Sequence, residues 1–472
     1  MNFLVLQPAD TRQSDPAIGQ TLLPALQAHG AVTVARDWLS FLNYTQVTSF
    51  TAAFFGSRAL IHDDVTWRRE LQRIRLPQTF IMFTSGPALP VRALRSLDLL
   101  FAVEPLKQLK DNLDPLIERL EQFHALRRDV KTKVPKGYLR PNGFGPFIGN
   151  SQQMLTIYRQ LVRVAGSEYT VLIRGNSGTG KDILARAIHE LSNRQPHPFV
   201  SINCAAIPEN LLESELFGYE KGAFTGATQS KAGKFELAHE GTLFMDEVGD
   251  MPMGLQAKLL RVLEDQTIQP LGGVTEKKVA FRLLAATHRR LGELIREGAF
   301  REDLHYRLNV ISIDLPDLNT RGADMTLLGL YVINKLIAHG DEGIKQVDWQ
   351  IFEVLKSANL AGNVRELENV LTRTAFHTEG DTIRAADLQK VLDRRELGTV
   401  SSVPASGKER EVRSLREVEK EAVHHALIRL DGNISQAAKQ LGISRTALYR
   451  KIKTYELTEF MSEPQREDEP HA

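Results

Sequence analysis

Residues 171–181 read Val-Leu-Ile-Arg-Gly-Asn-Ser-Gly-Thr-Gly-Lys. The apolar run Val171, Leu172, Ile173 predicts a short buried strand. Lys181 opens a helical pattern that continues through Ile183, Leu184, Ala187, Ile188 and Leu191. Strand, glycine loop, helix is the setting in which G-x-x-x-x-G-K holds phosphate. The glycines let backbone N–H groups turn inward, the helix N-terminus offers its positive dipole end, and the lysine reaches the terminal phosphates. Gly175, Asn176, Ser177, Gly178, Thr179, Gly180 and Lys181 are therefore candidate phosphate ligands. Asp182 stands where the general motif has a magnesium-binding Ser or Thr, which weakens the bare match.

A second stretch strengthens it. Gly241-Thr-Leu-Phe-Met-Asp-Glu247 places an apolar strand directly before two carboxylates. Asp246 can hold Mg²⁺ or its water ligands, and Glu247 can polarise a water for attack on a γ-phosphate. The bland alternative, a solvated loop that caps a helix, fits poorly with an apolar strand some way downstream of a phosphate loop. Together the two stretches predict an α/β ATPase.

Composition sets the bounds. A chain of 472 residues exceeds one core and points to about three domains. An apolar content of 42% and a charged content of 25% are ordinary for a globular protein. No apolar run matches a membrane span, and the first residues do not read as a signal peptide. The one cysteine, Cys204, excludes an internal disulfide and a thiolate zinc cluster, which suits a reducing cytoplasm. It reads as a packing residue rather than a nucleophile. With a net charge of +1, any nucleic-acid surface has to be local.

Residues 1–125 predict five strands (3–6, 31–34, 52–55, 79–83 and 99–103) with helices between them, the clearest from Pro105 to Leu126. That alternation predicts a doubly wound, receiver-like domain. The phosphorylation chemistry of a receiver is missing. Gln7-Pro8 replaces the acidic pair, Gly56-Ser57 replaces the phosphoacceptor, and Glu104-Pro105 replaces Lys-Pro. Asp63 and Asp64 fall well past the third strand. The charge-rich stretch to Lys136 predicts a helical, dimerising linker (126–146), and turn-rich 141–149 opens the ATPase domain (147–390). Within that domain Phe199-Val-Ser-Ile-Asn203 is a further strand.

Near the C-terminus, a linker (391–412) precedes residues 413–457, where a helix from Leu415 to Leu430 is followed by a helix-turn-helix pattern from Asn433 to Lys453. Ala437, Ala438, Leu441, Leu448 and Ile452 form its apolar set, Gly442 makes the turn and Ser444 caps. Arg445, Thr446, Tyr449, Arg450, Lys451 and Lys453 point outward, with no acidic residue among them, which fits a helix lying in a major groove better than a merely solvated one. The tail, 458–472, is acidic.

Glu-Ser-Glu-Leu-Phe-Gly at 213–218 and Gly222-Ala-Phe-Thr-Gly-Ala227 resemble the loop signature of the sigma-54-dependent transcription activators, which are AAA+ ATPases. The resemblance runs densely over 147–390, and the C-terminal segment resembles a Fis-type domain. It implies ATP and Mg²⁺ as ligands, an α/β core (147–315) under a helical lid (316–390), and DNA and sigma-54 polymerase as partners. It further implies dimers assembling into a hexameric ring. Residue by residue it implies that Gly222, Ala223, Phe224, Thr225, Gly226 and Ala227 touch the sigma factor. Asn203 becomes a switch that hydrogen-bonds Glu247, and Asp182 becomes an ordinary member of the phosphate loop. Arg301 and Arg307 become trans-acting fingers, and Arg365 a second sensor. His288 departs from the family's asparagine at the γ-phosphate sensor. Leu360-Ala361 departs from its Trp-Pro. Two rivals stand beside this reading: a ligand-gated DNA-binding regulator, activator or repressor, that keeps the AAA+ fold without depending on ATP hydrolysis or sigma-54, and a AAA+ remodeller unconnected with transcription.

Overall fold

The computed structural model describes residues 1–8, 18–56, 79–84, 88–91, 99–109, 112–224, 227–338, 343–399, 423–424, 426–427, 434–440, 443 and 445–455. The chain divides into two units, 1–398 and 399–472.

The first unit holds two five-stranded parallel sheets. In the N-terminal one the strands run in the order Ala31–Ala35, Asn2–Leu6, Ala52–Gly56, Phe80–Thr84, Leu100–Pro105. This 2-1-3-4-5 order is the receiver topology. Both faces of the central strands are buried, as expected of a parallel sheet clad on two sides. The receiver's reactive positions are filled with inert groups. The Gln7 amide oxygen accepts a hydrogen bond from Arg36 Nη1 at 3.0 Å. A side chain at Gly56 would meet the Phe83 ring at 2.9 Å, so the ring would have to shift to admit one. Asp63 and Asp64 lie outside the described residues.

The predicted last helix of this domain is two helices, Leu106–Leu109 and Leu113–Val130. The longer one does not run on to Lys136 as a free linker. It ends at Val130, and its apolar face (Leu116, Leu120, Phe123) shares one core with Leu155, Tyr158 and Leu161 of the helix Gln152–Ala165. The turn-rich stretch that follows folds as three two-residue strands, Leu139–Arg140, Gly143–Phe144 and Phe147–Ile148.

The second sheet orders its strands Phe199–Asn203, Thr242–Asp246, Arg282–Thr287, Val171–Arg174, Ile311–Asp314. All are parallel, so every carboxyl end opens on the same edge. The lid follows as the helices Gly322–Ala338, Gln350–Ser357, Asn363–His377 and Ala385–Thr399, with a strand pair Gln346–Asp348 and Thr382–Ile383.

Beyond that shared core, further contacts join these parts. The short segment Ala88–Pro90 of the N-terminal domain adds an antiparallel strand to the lid at Gln346–Asp348, and Leu89 is wholly buried there. Beside it, the fully buried Asp324 of the lid accepts from the backbone N–H groups of Asn150 and Ser151, each at 2.7 Å, and from the Ser151 hydroxyl at 2.6 Å. Asn150 passes the connection onward. Its amide nitrogen donates to the Phe101 carbonyl at 2.6 Å, and its oxygen accepts from Arg119 Nη1 at 3.2 Å. Desolvation holds the Arg119 guanidinium below its ordinary pKa and raises that of its neighbour Glu104.

Asp324→Ala leaves three donors without a partner and Arg321 without its carboxylate. It is expected to destabilise the unit by about 3–5 kcal/mol, read as a lowered thermal midpoint that Asp324→Asn recovers only in part.

Candidate nucleotide site

The strand Val171–Arg174 lies second from the edge of the sheet, and its end delivers the phosphate loop between the sheet and the lid. The loop turns through two left-handed glycines, Gly178 (φ 77°) and Gly180 (φ 97°), before the helix Lys181–Glu190 begins. At Gly178 the backbone approach decides the residue. A Cβ would stand 2.2 Å from the Gly362 carbonyl oxygen of the lid. The lid grips the loop there: Val364 N–H donates to the Gly178 carbonyl at 3.1 Å, and the Asn363 amide donates to the Ser177 carbonyl at 3.0 Å. Asn363 itself adopts a left-handed φ of 53° and accepts from Leu318 N–H at 2.7 Å. Arg365 follows at the start of the same helix, its Cβ 3.2 Å from where a Gly178 Cβ would stand. Asn176 donates to both oxygens of Asp317 at 2.9 Å, and Asp182 is exposed on the first turn of the helix.

Lys181 is buried. Its ammonium donates to the Gly175 carbonyl at 3.0 Å and lies 3.2 Å from Glu247 Oε1. Asp246 ends the neighbouring strand. Burial and then the adjacent Glu247 raise its pKa, against the pull of Lys181. Glu247 departs from the strand with φ 52°, which swings its carboxylate off the line of the sheet. Burial acts to raise its pKa, but hydrogen bonds from His288, and then Lys181, outweigh this and hold it low. The set fits a nucleotide with its magnesium ion: inward glycine turns and a buried ammonium for phosphate oxygens, Asp246 for the metal or its waters, Glu247 for the attacking water.

Glu247, Asp250 and His288 bring ligand atoms within 4.8 Å of one another, but Lys181 already neutralises Glu247 and Arg289 Nη1 lies 3.0 Å from Asp250. A cleft of about 590 Å³ opens beside the loop, lined among others by Asn176, His288, Arg289, His305 and Asp317.

Comparison with known proteins fits this geometry. Residues 147–314 match a model described as the Sigma-54 interaction domain, 319–403 a AAA+ ATPase lid domain, and 414–455 the bacterial regulatory proteins of the Fis family. The chain is similar to the regulatory protein AtoC of Escherichia coli, 40% identical over 347 residues that cover 73% of this chain and 75% of AtoC. The chain belongs to the sigma-54-dependent transcriptional regulators. The DNA-binding transcriptional regulator NtrC of Azospirillum brasilense is 43% identical over 340 residues (66% and 70% of the two chains). The solved structure of NtrX from Brucella abortus in complex with ATP covers 96% of this chain and 99% of its own at 28% identity, with a TM-score of 0.50.

Asn203 and His288 each meet one member of the carboxylate pair. Asn203 does not hydrogen-bond Glu247. It lies in register with Asp246 on the adjacent strand, so its amide reaches Asp246 Oδ2 at 3.1 Å, and its oxygen caps the N–H groups of Ala205 and Ala206. His288, placed by sequence at a γ-phosphate, bonds Glu247 Oε2 through Nδ1 at 2.6 Å and through its backbone N–H at 3.1 Å. Arg301 is paired with Asp303 at 2.7 Å, and Arg307 donates to the Leu263 carbonyl at 3.0 Å. Among the described residues neither is hydrogen-bonded to the phosphate loop of its own chain.

In the signature loop, Phe224 is half exposed and packs edge-on against Tyr219 with centroids 4.9 Å apart. Gly222 N–H donates to the Ala227 carbonyl at 2.9 Å and closes the base of the tip, where Ala223 rests on Gly272. Thr225 and Gly226 lie outside the described residues. Sequence reasoning missed the grip of Asn363 on the loop, although Gly-Asn-Val-Arg at 362–365 carried the turn residues for it.

In the C-terminal unit the helices Ile434–Gln440 and Arg445–Thr454 share a small core of Val423, Leu427, Ala437, Ala438, Leu448 and Ile452. Arg445, Thr446, Tyr449, Arg450 and Lys453 are exposed, and the Lys451 ammonium lies 5.9 Å over the Tyr455 ring. Leu441, Gly442 and Ser444 lie outside the described residues.

Cys204 is buried beside Asp246 and Asp250, and burial, then these carboxylates, push its thiol up to about 12. A thiol raised this far above pH 8 is protonated in all but about one molecule in ten thousand. Alkylation by iodoacetamide at pH 8 is therefore expected to be very slow in the folded protein and rapid after unfolding, as mass spectrometry of the intact chain would read.

Proposed function

We propose that this chain is a DNA-bound ATPase that hydrolyses ATP with Mg²⁺ in an oligomeric ring and uses the cycle to press the Phe224 loop against sigma-54 polymerase, permitting promoter opening. The observation that carries this is the convergence of Lys181, Asp246 and Glu247 at the carboxyl edge of one parallel sheet, beneath a lid that contacts the phosphate loop. Phosphate oxygens arriving at the loop compete with Gly175 and Glu247 for the Lys181 ammonium. Release of that ammonium leaves the Glu247 carboxylate free to orient and deprotonate a water. Asp246 is the residue that would hold a magnesium ion, which would supply charge neutralisation at the phosphates.

Support for the ring comes from the finger helix. Arg301 and Arg307 do not reach their own loop, and Tyr306 and Val310 beside them are exposed apolar groups of the kind an interface covers. In a ring, Arg301 and Arg307 would serve the neighbouring protomer's γ-phosphate, where a guanidinium stabilises developing charge. Gly222, Ala223, Phe224, Thr225, Gly226 and Ala227 would form the polymerase contact. Ser444, Arg445, Thr446, Tyr449, Arg450, Lys451 and Lys453 would form the DNA contact, used from upstream sites by a dimer. The domain boundaries that go with this reading are 1–125, 147–390 and 413–457. The N-terminal domain would regulate without phosphorylation, since its reactive positions are filled by Gln7 and the Gly56–Phe83 contact.

The test is transcription in vitro with sigma-54 polymerase and housekeeping-factor polymerase in parallel. The wild-type chain is expected to activate only the first, and only with hydrolysable ATP. Glu247→Gln should keep ATP affinity within about threefold while hydrolysis falls by a factor on the order of 10² or more. Normal regulation by this variant would favour a regulator indifferent to hydrolysis. Phe224→Ala is expected to leave ATPase turnover within about twofold of wild type and to reduce open-complex formation at least tenfold, because its ring contacts Tyr219 and not the phosphate loop. Undiminished transcription by that variant would remove the contact role.

A further inference from the structure

The resemblance to the sigma-54-dependent activators implies asparagine at the position of His288, with its side chain toward the nucleotide. Here the imidazole faces the general base instead. Its Nδ1 is 2.6 Å from Glu247 Oε2, and the backbone N–H of the same residue donates to that oxygen at 3.1 Å. The other carboxylate oxygen, Oε1, is 3.2 Å from the Lys181 ammonium. Glu247 is thus held at both oxygens, by the lysine of the phosphate loop and by a histidine from the neighbouring strand's end.

The residue expected to hold Glu247 is committed elsewhere. Asn203 gives its amide to Asp246 and its carbonyl oxygen to the N–H groups of Ala205 and Ala206, so none of its hydrogen bonds reaches Glu247. The topology explains the two pairings. The strand Arg282–Thr287 lies next to the carboxylate strand on the side opposite Phe199–Asn203, so the residue just past its end emerges beside Glu247. Glu247, at a left-handed φ of 52°, has its carboxylate on His288, whereas Asn203 bonds Asp246. The tautomer with hydrogen on Nδ1 makes both His288 contacts donors, which leaves a lone pair of the carboxylate for water.

We propose that His288 is the positioning residue for Glu247: it fixes the general base through Nδ1, and it goes on holding that carboxylate when Lys181 transfers to phosphate. This rests on the ATPase reading above. Its role is on turnover and not on nucleotide affinity, because the group it touches is the base. The chemistry of the side chains makes this separable. Asparagine carries its amide nitrogen on Cγ, as the imidazole carries Nδ1, whereas glutamine carries its nitrogen one atom farther out, as the imidazole carries Nε2.

The experiment is steady-state ATP hydrolysis by the full-length chain with Mg²⁺, comparing wild type with His288→Ala, His288→Asn and His288→Gln. The His288 side chain is 47% exposed, so its replacement does not threaten the core. His288→Ala is expected to lower kcat by about tenfold to a hundredfold with KM for ATP within about twofold, the mark of a misplaced base. His288→Asn should recover most of the lost kcat, and His288→Gln should stay near the alanine variant. Any of three results overturns the proposal: alanine as active as wild type, a raised KM at unchanged kcat, or rescue by glutamine rather than asparagine. The raised KM would assign the side chain to the nucleotide, and rescue by glutamine would show that the nitrogen at the Nδ1 position is not the one that acts. A wild-type chain that never turns over ATP would overturn the proposal together with the ATPase reading, and is told apart from the other outcomes by the wild-type measurement alone.

Discussion

The site depends on one electrostatic arrangement: a buried ammonium between a carbonyl and a carboxylate at the edge of a parallel sheet. Lys181 is affordable in that position only because Gly175 and Glu247 both meet it, since an ionised group buried without partners is strongly disfavoured. The same arrangement keeps Glu247 ionised against its own desolvation, with His288 making the larger contribution. Asp246, one residue earlier, is pushed the opposite way by burial and by Glu247. Two adjacent carboxylates with opposed tendencies are what a division of labour between metal holding and proton removal requires.

That arrangement exists only where several strand ends and the lid meet. Asn203, Asp246, Thr287 and Arg174 finish neighbouring strands, and the lid closes over the loop through Asn363 and Val364. The lid is in turn fixed to the entrance of the domain by Asp324 and to the N-terminal domain by one added strand. The lid thus holds hydrogen bonds both to the phosphate loop and to the N-terminal domain. The partners of Asp324 are two backbone N–H groups, the Ser151 hydroxyl and the Arg321 guanidinium.

Much of this could be read from the chain itself. The glycine loop, the carboxylate pair and the five strands of the N-terminal domain appear within a residue or two of where local pattern puts them, because each is written in a continuous stretch. Local pattern did not reveal pairings between distant stretches. Nothing near Ala88 marks it as a partner for Gln346, and nothing near Asn150 marks it as the relay between Arg119 and Asp324. Likewise, the partner of Asn203 depends on cross-strand register with Asp246, and that of His288 on which strand lies beside Thr242–Asp246. The helix Leu113–Val130 looked like a tether because its charged residues cluster at its end, yet its apolar face belongs to the core of the neighbouring domain.

The strand Ala88–Pro90 has a consequence for how the molecule can be divided. It caps the outer edge of the lid's small sheet, so a fragment beginning near residue 140 would leave the backbone of Gln346–Asp348 open to the solvent, with Val347 at its centre. Uncovered edges of this kind recruit other chains. Self-association of such a fragment would then report on surgery rather than on the ring, and a shortened protein could seem deregulated merely because its lid had found the wrong companion.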